Sequence, residues 1–321
     1  MTRLTTMLAV TVQGGQTAVQ VPLPERKRGE ALVRVKRVGI CGTDLAMFDG
    51  YTDHTGVIGH EFAGVVEEAD NDAWIGKRVT SSINFTPSDY PFDWKTAKHH
   101  PRRTALGIRG RDGTMAEYAV IPEDALIELP ASVSDASGAT VEPLAAAMDA
   151  VDRLPPGVGG DILVVGDGRI AQLVGRVLQQ RHHRWAIVGR NRMKLSLAKR
   201  AGGRGEEEAN IHKGKRFSRV IEATGSPEGI RLALNAVAPT GTVVLKSTLS
   251  EEVQLDLSRV VVHEIRLIGS RCGDLEKALE AMARGKIEVT DMITAVYPLA
   301  RAAEAFEHAR RPDAVKVQLE P

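Results

Sequence analysis

A two-domain α/β protein is what this sequence predicts, an all-β first third followed by a doubly wound parallel sheet. Short β-branched runs broken by Gly, Pro and Asp recur through the first third. From about Pro143 the pattern changes to apolar runs of strand length alternating with amphipathic runs of helix length. With 321 residues and 43% hydrophobic content, the chain can bury two cores.

The opening MTRLTTMLAVTVQGG reads as a strand and not as a signal peptide. ALVRVKRVGI (31–40), FAGVVEEA (62–69) and MAEYAVIP (115–122) read as further strands of the β region. The second region runs strand, helix, strand, helix through DILVVG (161–166), RIAQLVGRVLQQ (169–180), WAIVGR (185–190) and NRMKLSLAKRAG (191–202). RVIEATG (219–225), PEGIRLALNAVA (227–238), GTVVLKS (241–247) and EIRLIGS (264–270) continue the alternation, the mark of a parallel sheet with helices on its faces. There is no internal repeat or low-complexity segment.

Charge and cysteine content narrow the partners. Lys plus Arg number 42 against 41 Asp plus Glu, so no net field draws the chain to nucleic acid or an anionic membrane. No apolar run reaches the roughly 18 residues of a membrane span. Cys41 and Cys272 cannot make a disulfide framework, and a reducing cytoplasm is the expected setting.

Gly166-Asp167-Gly168-Arg169-Ile170-Ala171 joins an apolar strand to an amphipathic helix as G-x-G-x-x-A. Gly166 allows the tight turn, Gly168 lets a pyrophosphate approach the backbone, and Ala171 lets the helix pack closely with its N-terminus toward the phosphates. A tight turn with no ligand is the alternative; the strand-to-helix placement favours a dinucleotide. The acid that would accept the ribose hydroxyls of NAD is absent from the end of the second strand, where Gly189 stands. Arg190, Asn191, Arg192 and Lys194 follow, so the expected cofactor is NADP(H) in preference to NAD(H).

Cys41, His60, Glu61 and Glu142 are a scattered set of zinc-type donors. A thiolate, an imidazole and a carboxylate with a fourth position left to water make a catalytic zinc shell. Each has a plainer reading alone: a buried cysteine as a small hydrophobe, a core histidine, a glutamate at a helix N-terminus before Pro143.

The residues around these donors carry a resemblance. V-G-I-C-G-T-D (38–44), G-H-E-F-A-G-V-V (59–66), G-K-R-V (76–79) and V-E-P-L-A (141–145), with the later glycine-rich turn, resemble the zinc-dependent alcohol dehydrogenase branch of the medium-chain dehydrogenase/reductase family, in its threonine, sorbitol and glucose dehydrogenase-like part. The resemblance implies a GroES-like β-barrel catalytic domain from residues 1–143 and 271–321 and a Rossmann cofactor domain from 144–270. It also implies hydride transfer between NADP(H) and an alcohol or polyol, or the matching aldehyde or ketone, in a homodimer or homotetramer. Thr43 resembles the hydroxyl that holds the substrate oxygen and relays its proton, and Asp44 the carboxylate that orients His60; ordinary turn chemistry is the plainer reading of both. Arg169, Ile170, Thr224, Gly225, Lys246 and Arg271 join the cofactor set by the same resemblance, and Phe48, Ile83 and Asn84 the substrate pocket. A zinc-independent quinone or enoyl reductase of the same superfamily and a catalytically idle NADPH-binding protein are the alternatives; intact Cys41, His60 and Thr43 argue against both.

The chain also departs from the family pattern. Ala46 stands where many members carry a relay histidine, and Glu142 is expected near the metal, with either Glu61 or Glu142 as the inner carboxylate. The stretch 84–102 has none of the four cysteines of a structural zinc lobe, so one catalytic zinc is expected and Tyr90, Phe92 and Trp94 are expected to pack the lobe. His99 and His100, without thiolate neighbours, are expected to be solvated or hydrogen-bonded. Lys95, Lys98, Arg102, Arg103, Arg109 and Arg111 lie in a stretch free of acids, expected as a solvated face, with a guide for an anionic substrate as the alternative.

Overall fold

The computed structural model describes residues 5–156, 159–249 and 252–321. The chain begins with β1 (Thr6–Val10), β2 (Ala18–Pro22), β3 (Glu30–Gly39), α1 (Gly42–Met47), β4 (Glu61–Glu68), β5 (Arg78–Ser81) and β6 (Asn84–Phe85). It continues with α2 (Trp94–Ala97), β7 (Thr104–Leu106), β8 (Gly110–Arg111), β9 (Tyr118–Pro122), β10 (Leu126–Glu128), α3 (Asp135–Gly138) and α4 (Val141–Asp152).

The strands β11 (Ile162–Val165), β12 (Trp185–Val188), β13 (Arg204–Glu206), β14 (Phe217–Glu222), β15 (Val237–Leu245) and β16 (Arg266–Gly269) then alternate with α5 (Arg169–Gln180), α6 (Arg192–Arg200), α7 (Glu208–His212), α8 (Pro227–Ala236) and α9 (Leu257–Val262). Last come α10 (Leu275–Ala283), β17 (Ile293–Pro298), α11 (Ala302–Ala309) and β18 (Lys316–Glu320).

Two units result. One comprises the described residues up to Glu142 with Asp274–Gly285 and Val289–Pro321; the other comprises those of Pro143–Gly273 with Lys286–Glu288. In the first, a sheet runs β10-β5-β4-β3-β18-β17, with β9 also on β3. Val33, Val35 and Val38 of β3 are buried, and β3 is paired along both edges, with β4 and with β9 and β18. Its last residue, Gly39, lies opposite Glu61 of β4 and opposite Gln318 of β18, which brings three distant segments to one point.

The second unit is a six-stranded parallel sheet in the order β13-β12-β11-β14-β15-β16. Numbered within the sheet this is 3-2-1-4-5-6, the doubly wound order of dinucleotide-binding folds. Ile162, Leu163, Val164 and Val165 of β11 are all buried, as a strand covered on both faces requires. The apolar pattern gave no sign of β13, a three-residue polar edge strand. Among the described residues no helix is long and apolar enough to cross a membrane.

Candidate metal centre and dinucleotide site

Cys41 follows the end of β3 directly before α1. Its N–H donates to Asp44 Oδ2 at 2.7 Å, closing the first turn of the helix back onto the cysteine. Asp44 is fully buried, and its other oxygen stands 3.4 Å from His60 Nδ1; neither of these two atoms has another hydrogen-bond partner among the described residues. Gly59 has φ +96, and a Cβ there would stand 2.9 Å from the Met115 backbone nitrogen. A side chain at Gly59 would therefore block the turn that delivers His60 and Glu61 to the start of β4.

These turns bring Cys41, His60 and Glu61 together, with donor atoms all within 4.8 Å of one another. His60 and Glu61 are buried and Cys41 is partly accessible. The donor set suits zinc, and an imidazole nitrogen facing a buried carboxylate is the outer contact that fixes a ligating histidine. Burial pushes the His60 imidazolium down, yet the Asp44 and Cys41 charges outweigh it and hold its pKa well above the usual histidine value. Such an excess of negative charge is what a divalent cation neutralises. Thr43 Oγ1 lies 3.8 Å from Cys41 Sγ.

Glu142 is buried in the first turn of α4 and is not one of the three clustered donors. Glu61 leaves the same turn as His60 and faces Gly39 across β3 and β4. Phe48 packs edge-on against Phe306, ring centres 5.1 Å apart, while Ile83 and Asn84 are buried and Asn84 Oδ1 accepts from Arg103 Nε at 3.2 Å.

The basic stretch is only partly a solvated face. Lys95, Arg102 and Arg109 are exposed, but Lys98 is buried with its ammonium 5.5 Å from the Trp94 ring centre. Arg111 pairs with Glu30 at 2.9 Å and covers Phe85. The 84–102 lobe is held by polar contacts as well as rings: Arg102 spans both Asp89 oxygens at 2.8 and 3.1 Å, Asp93 caps α2, and Tyr90 tilts onto His100. Tyr90 is 44% exposed, so aromatic packing alone does not close the lobe.

In the second unit the predicted cofactor residues gather at one end of the sheet. Gly166 and Gly168 form the turn after β11, with Arg169 and Ile170 opening α5; Gly189 and Arg190 follow β12, and Asn191 caps α6, whose first turn holds Lys194. Thr224 and Gly225 follow β14, Lys246 follows β15 and Arg271 follows β16. All strands being parallel, these positions share the carboxyl edge, where doubly wound sheets bind ligands.

Over residues 27–131 the chain matches the alcohol dehydrogenase GroES-like domain, and over residues 130–320, well over half its length, the glucose dehydrogenase C-terminus. The chain belongs to the zinc-dependent alcohol dehydrogenase branch of the medium-chain dehydrogenase/reductase family. It is similar to D-arabitol-phosphate dehydrogenase of Enterococcus avium, at 28% identity over 94% of this chain and 93% of that protein. Similarity to sorbitol dehydrogenase of Halalkalibacterium halodurans is 26% over 96% of both. A structure from Sinorhizobium meliloti 1021, held to be a zinc-binding dehydrogenase and bound to NADP, aligns at a TM-score of 0.88 and 26% identity, covering 99% of this chain and 100% of that one. As a member of the family the chain is an oxidoreductase, with a GroES-like domain and a Rossmann sheet.

Two charged residues of this family member escaped the sequence reading. Lys316 of β18, 2% exposed, donates to Glu61 Oε2 and, at 3.2 Å, to the Ile40 carbonyl. Burial pushes its ammonium down to about 8, with the Cys41 and Asp44 charges pulling the other way. The contact depends on Gly39, whose Cβ would stand 2.6 Å from Glu61 Oε2 and 2.7 Å from Lys316 Cε. In AVKVQLE the lysine sits between valines in a strand buried on both faces, and no periodicity marks its direction. The second is Asp167, inside the glycine turn: the space beside Gly189, where the ribose acid is absent from the strand end, is filled by the Asp167 side chain.

Proposed function

We propose that the chain is a zinc-dependent dehydrogenase that transfers hydride between NADP(H) and an alcohol or polyol, or the corresponding aldehyde or ketone. The observation that carries this reading is the Cys41, His60 and Glu61 cluster, with donors within 4.8 Å of one another behind a buried Asp44. Bound there, zinc supplies a Lewis acid for the substrate oxygen. Asp44 holds the His60 ring by facing Nδ1, which leaves Nε2 for the metal. Lys316 holds Glu61 by an ion pair and so fixes the carboxylate at the edge of the cluster. Thr43 Oγ1, close to the Cys41 sulfur, accepts the substrate hydroxyl proton and passes it outward; with Ala46 in place of a relay histidine, the next carrier is water or the cofactor ribose.

The glycine-rich turn and the α5 N-terminus take the pyrophosphate, and Arg190, Arg192 and Lys194 favour the 2′-phosphate of NADP(H). Polyol substrates are supported by likeness to sorbitol and arabitol-phosphate dehydrogenases. Assembly as a homodimer or homotetramer is supported by the edge strand β16 and by Leu257, Val261 and Val262 of α9, which are 61%, 75% and 73% exposed. The test is steady-state oxidation and reduction of a panel of alcohols, polyols, aldehydes and ketones by zinc-loaded protein with both dinucleotides. Turnover of one polyol class that disappears on chelation and returns with zinc is expected; full activity in verified zinc-free protein overturns the reading.

A further inference from the structure

The glycine-rich turn carries a charge that phosphate binding does not call for. Asp167 Oδ2 accepts from the N–H of Arg190 at 2.7 Å and from that of Asn191 at 2.8 Å. These two amides lie between the end of β12 and the start of α6, where a doubly wound sheet meets the adenosine ribose. Gly189 makes room for the contact, since a Cβ there would stand 2.5 Å from both Asp167 Cβ and Oδ2. The arrangement is braced from beneath: Gln172, fully buried, donates its amide to the Asp167 carbonyl at 3.2 Å and to the Lys194 carbonyl at 2.9 Å.

In doubly wound folds an acid at the end of the second strand accepts the ribose hydroxyls and disfavours a 2′-phosphate. Here the strand end is glycine, and a carboxylate reaches the same place from the turn after the first strand. We propose that Asp167 is the residue that discriminates at the ribose 2′ position. Its carboxylate accepts the 2′-hydroxyl of NAD(H), occupies the two amides that a 2′-phosphate would use, and repels that phosphate. It thus opposes Arg190 and Arg192, and the preference between the two dinucleotides is the difference between these influences. The assignment rests on the dinucleotide reading of the proposed function and makes it specific.

The test is fluorescence titration of the full-length protein and of Asp167→Asn with NADPH and NADH, alongside calorimetry with adenosine 2′,5′-bisphosphate and AMP. Asparagine keeps an acceptor for the two amides and removes the charge. NADPH and the bisphosphate should bind the variant about tenfold tighter, while NADH and AMP stay within about threefold or weaken. Equal factors for the phosphorylated and unphosphorylated ligands, or no change with NADPH, would mean that Asp167 only shapes the turn and would overturn the proposal. Asp167→Ser provides the same comparison if the asparagine variant does not fold. Failure of the parent protein to bind either dinucleotide is a separate result, which removes the dinucleotide reading and the assignment with it.

Discussion

Thr43 stands beside the Cys41 sulfur, and its oxygen either carries a proton or merely closes a turn. If it carries the proton, Thr43→Ala lowers kcat by about 10² to 10⁴ while metal content and dinucleotide binding stay near parental, and Thr43→Ser is mild. Parental turnover by the alanine variant across pH would leave the hydroxyl with no part in the reaction. His60 makes a prediction about pH. Its folded pKa is raised above the unfolded value, so in metal-free protein its contribution to stability is complete below about 6.5 and is lost as pH climbs through the raised folded value. Lys316 runs the other way, its pKa depressed from 10.5 to about 8, so its cost eases as pH rises between those values. The quantity to measure is therefore the difference in urea unfolding free energy between parent and His60→Gln, both metal-stripped. That difference should shrink as pH rises above about 6.5, and a flat difference contradicts the assignment. Zinc affinity should grow over the same window, because the ligand must be the neutral imidazole. At this scale Cys41, His60 and Glu61 were legible because the motifs around them are distinctive, whereas Lys316 and Asp167 occupy positions that strand and turn patterns leave open.

The elements around these residues explain what local patterns missed. β3, β4 and β18 come from distant parts of the chain, and only their pairing at Gly39 puts Lys316 on Glu61. Removing the lysine leaves a buried carboxylate without its partner, so Lys316→Met should cost the metal-free protein about 3 to 5 kcal/mol in urea unfolding. Bound zinc should recover part of that loss, and a loss below about 1 kcal/mol would show that the pair does not hold this corner together. The parallel sheet has a comparable joint. Glu222, fully buried at the end of β14, accepts from Thr224 N and Oγ1, each at 2.6 Å, and from Ser247 Oγ at 2.9 Å, so one carboxylate fastens the loops after β14 and β15. All three reach the same oxygen, Oε1. Glu222→Gln keeps the shape and that acceptor but removes the charge and puts an NH2 donor where Oε2 accepts from Ser247 N at 3.4 Å. It should raise the KM for the dinucleotide about tenfold with a smaller change in kcat, and cost about 1 to 3 kcal/mol of stability. Stability lost with KM unchanged would make Glu222 a core residue with no bearing on the cofactor loops. The alternation of strands and helices from Pro143 onward was readable because buried parallel strands are continuous apolar runs; β13 was not, being three residues long and polar.

For the whole molecule the decisive quantity is the number of zinc ions per chain. Cys41 belongs to the first unit and Cys272 to the second, and the 84–102 lobe is held by Asp89, Arg102, Asp93 and the Tyr90–His100 contact in a stretch without cysteine. Structural zinc sites draw on four thiolate or imidazole donors, so the cysteine-free lobe has too few for His99 and His100 to complete a shell. The Cys41, His60 and Glu61 cluster does have the donors for one open site. Elemental analysis of protein purified without chelator should therefore give one zinc per chain. Cys41→Ser should remove most of that zinc and nearly all turnover, while the protein stays folded and still quenches or enhances NADPH fluorescence, because the nucleotide residues belong to the other unit. Two zinc ions per chain would place a second site in the cysteine-free lobe or elsewhere. Full zinc retention by Cys41→Ser would move the metal away from the cluster altogether.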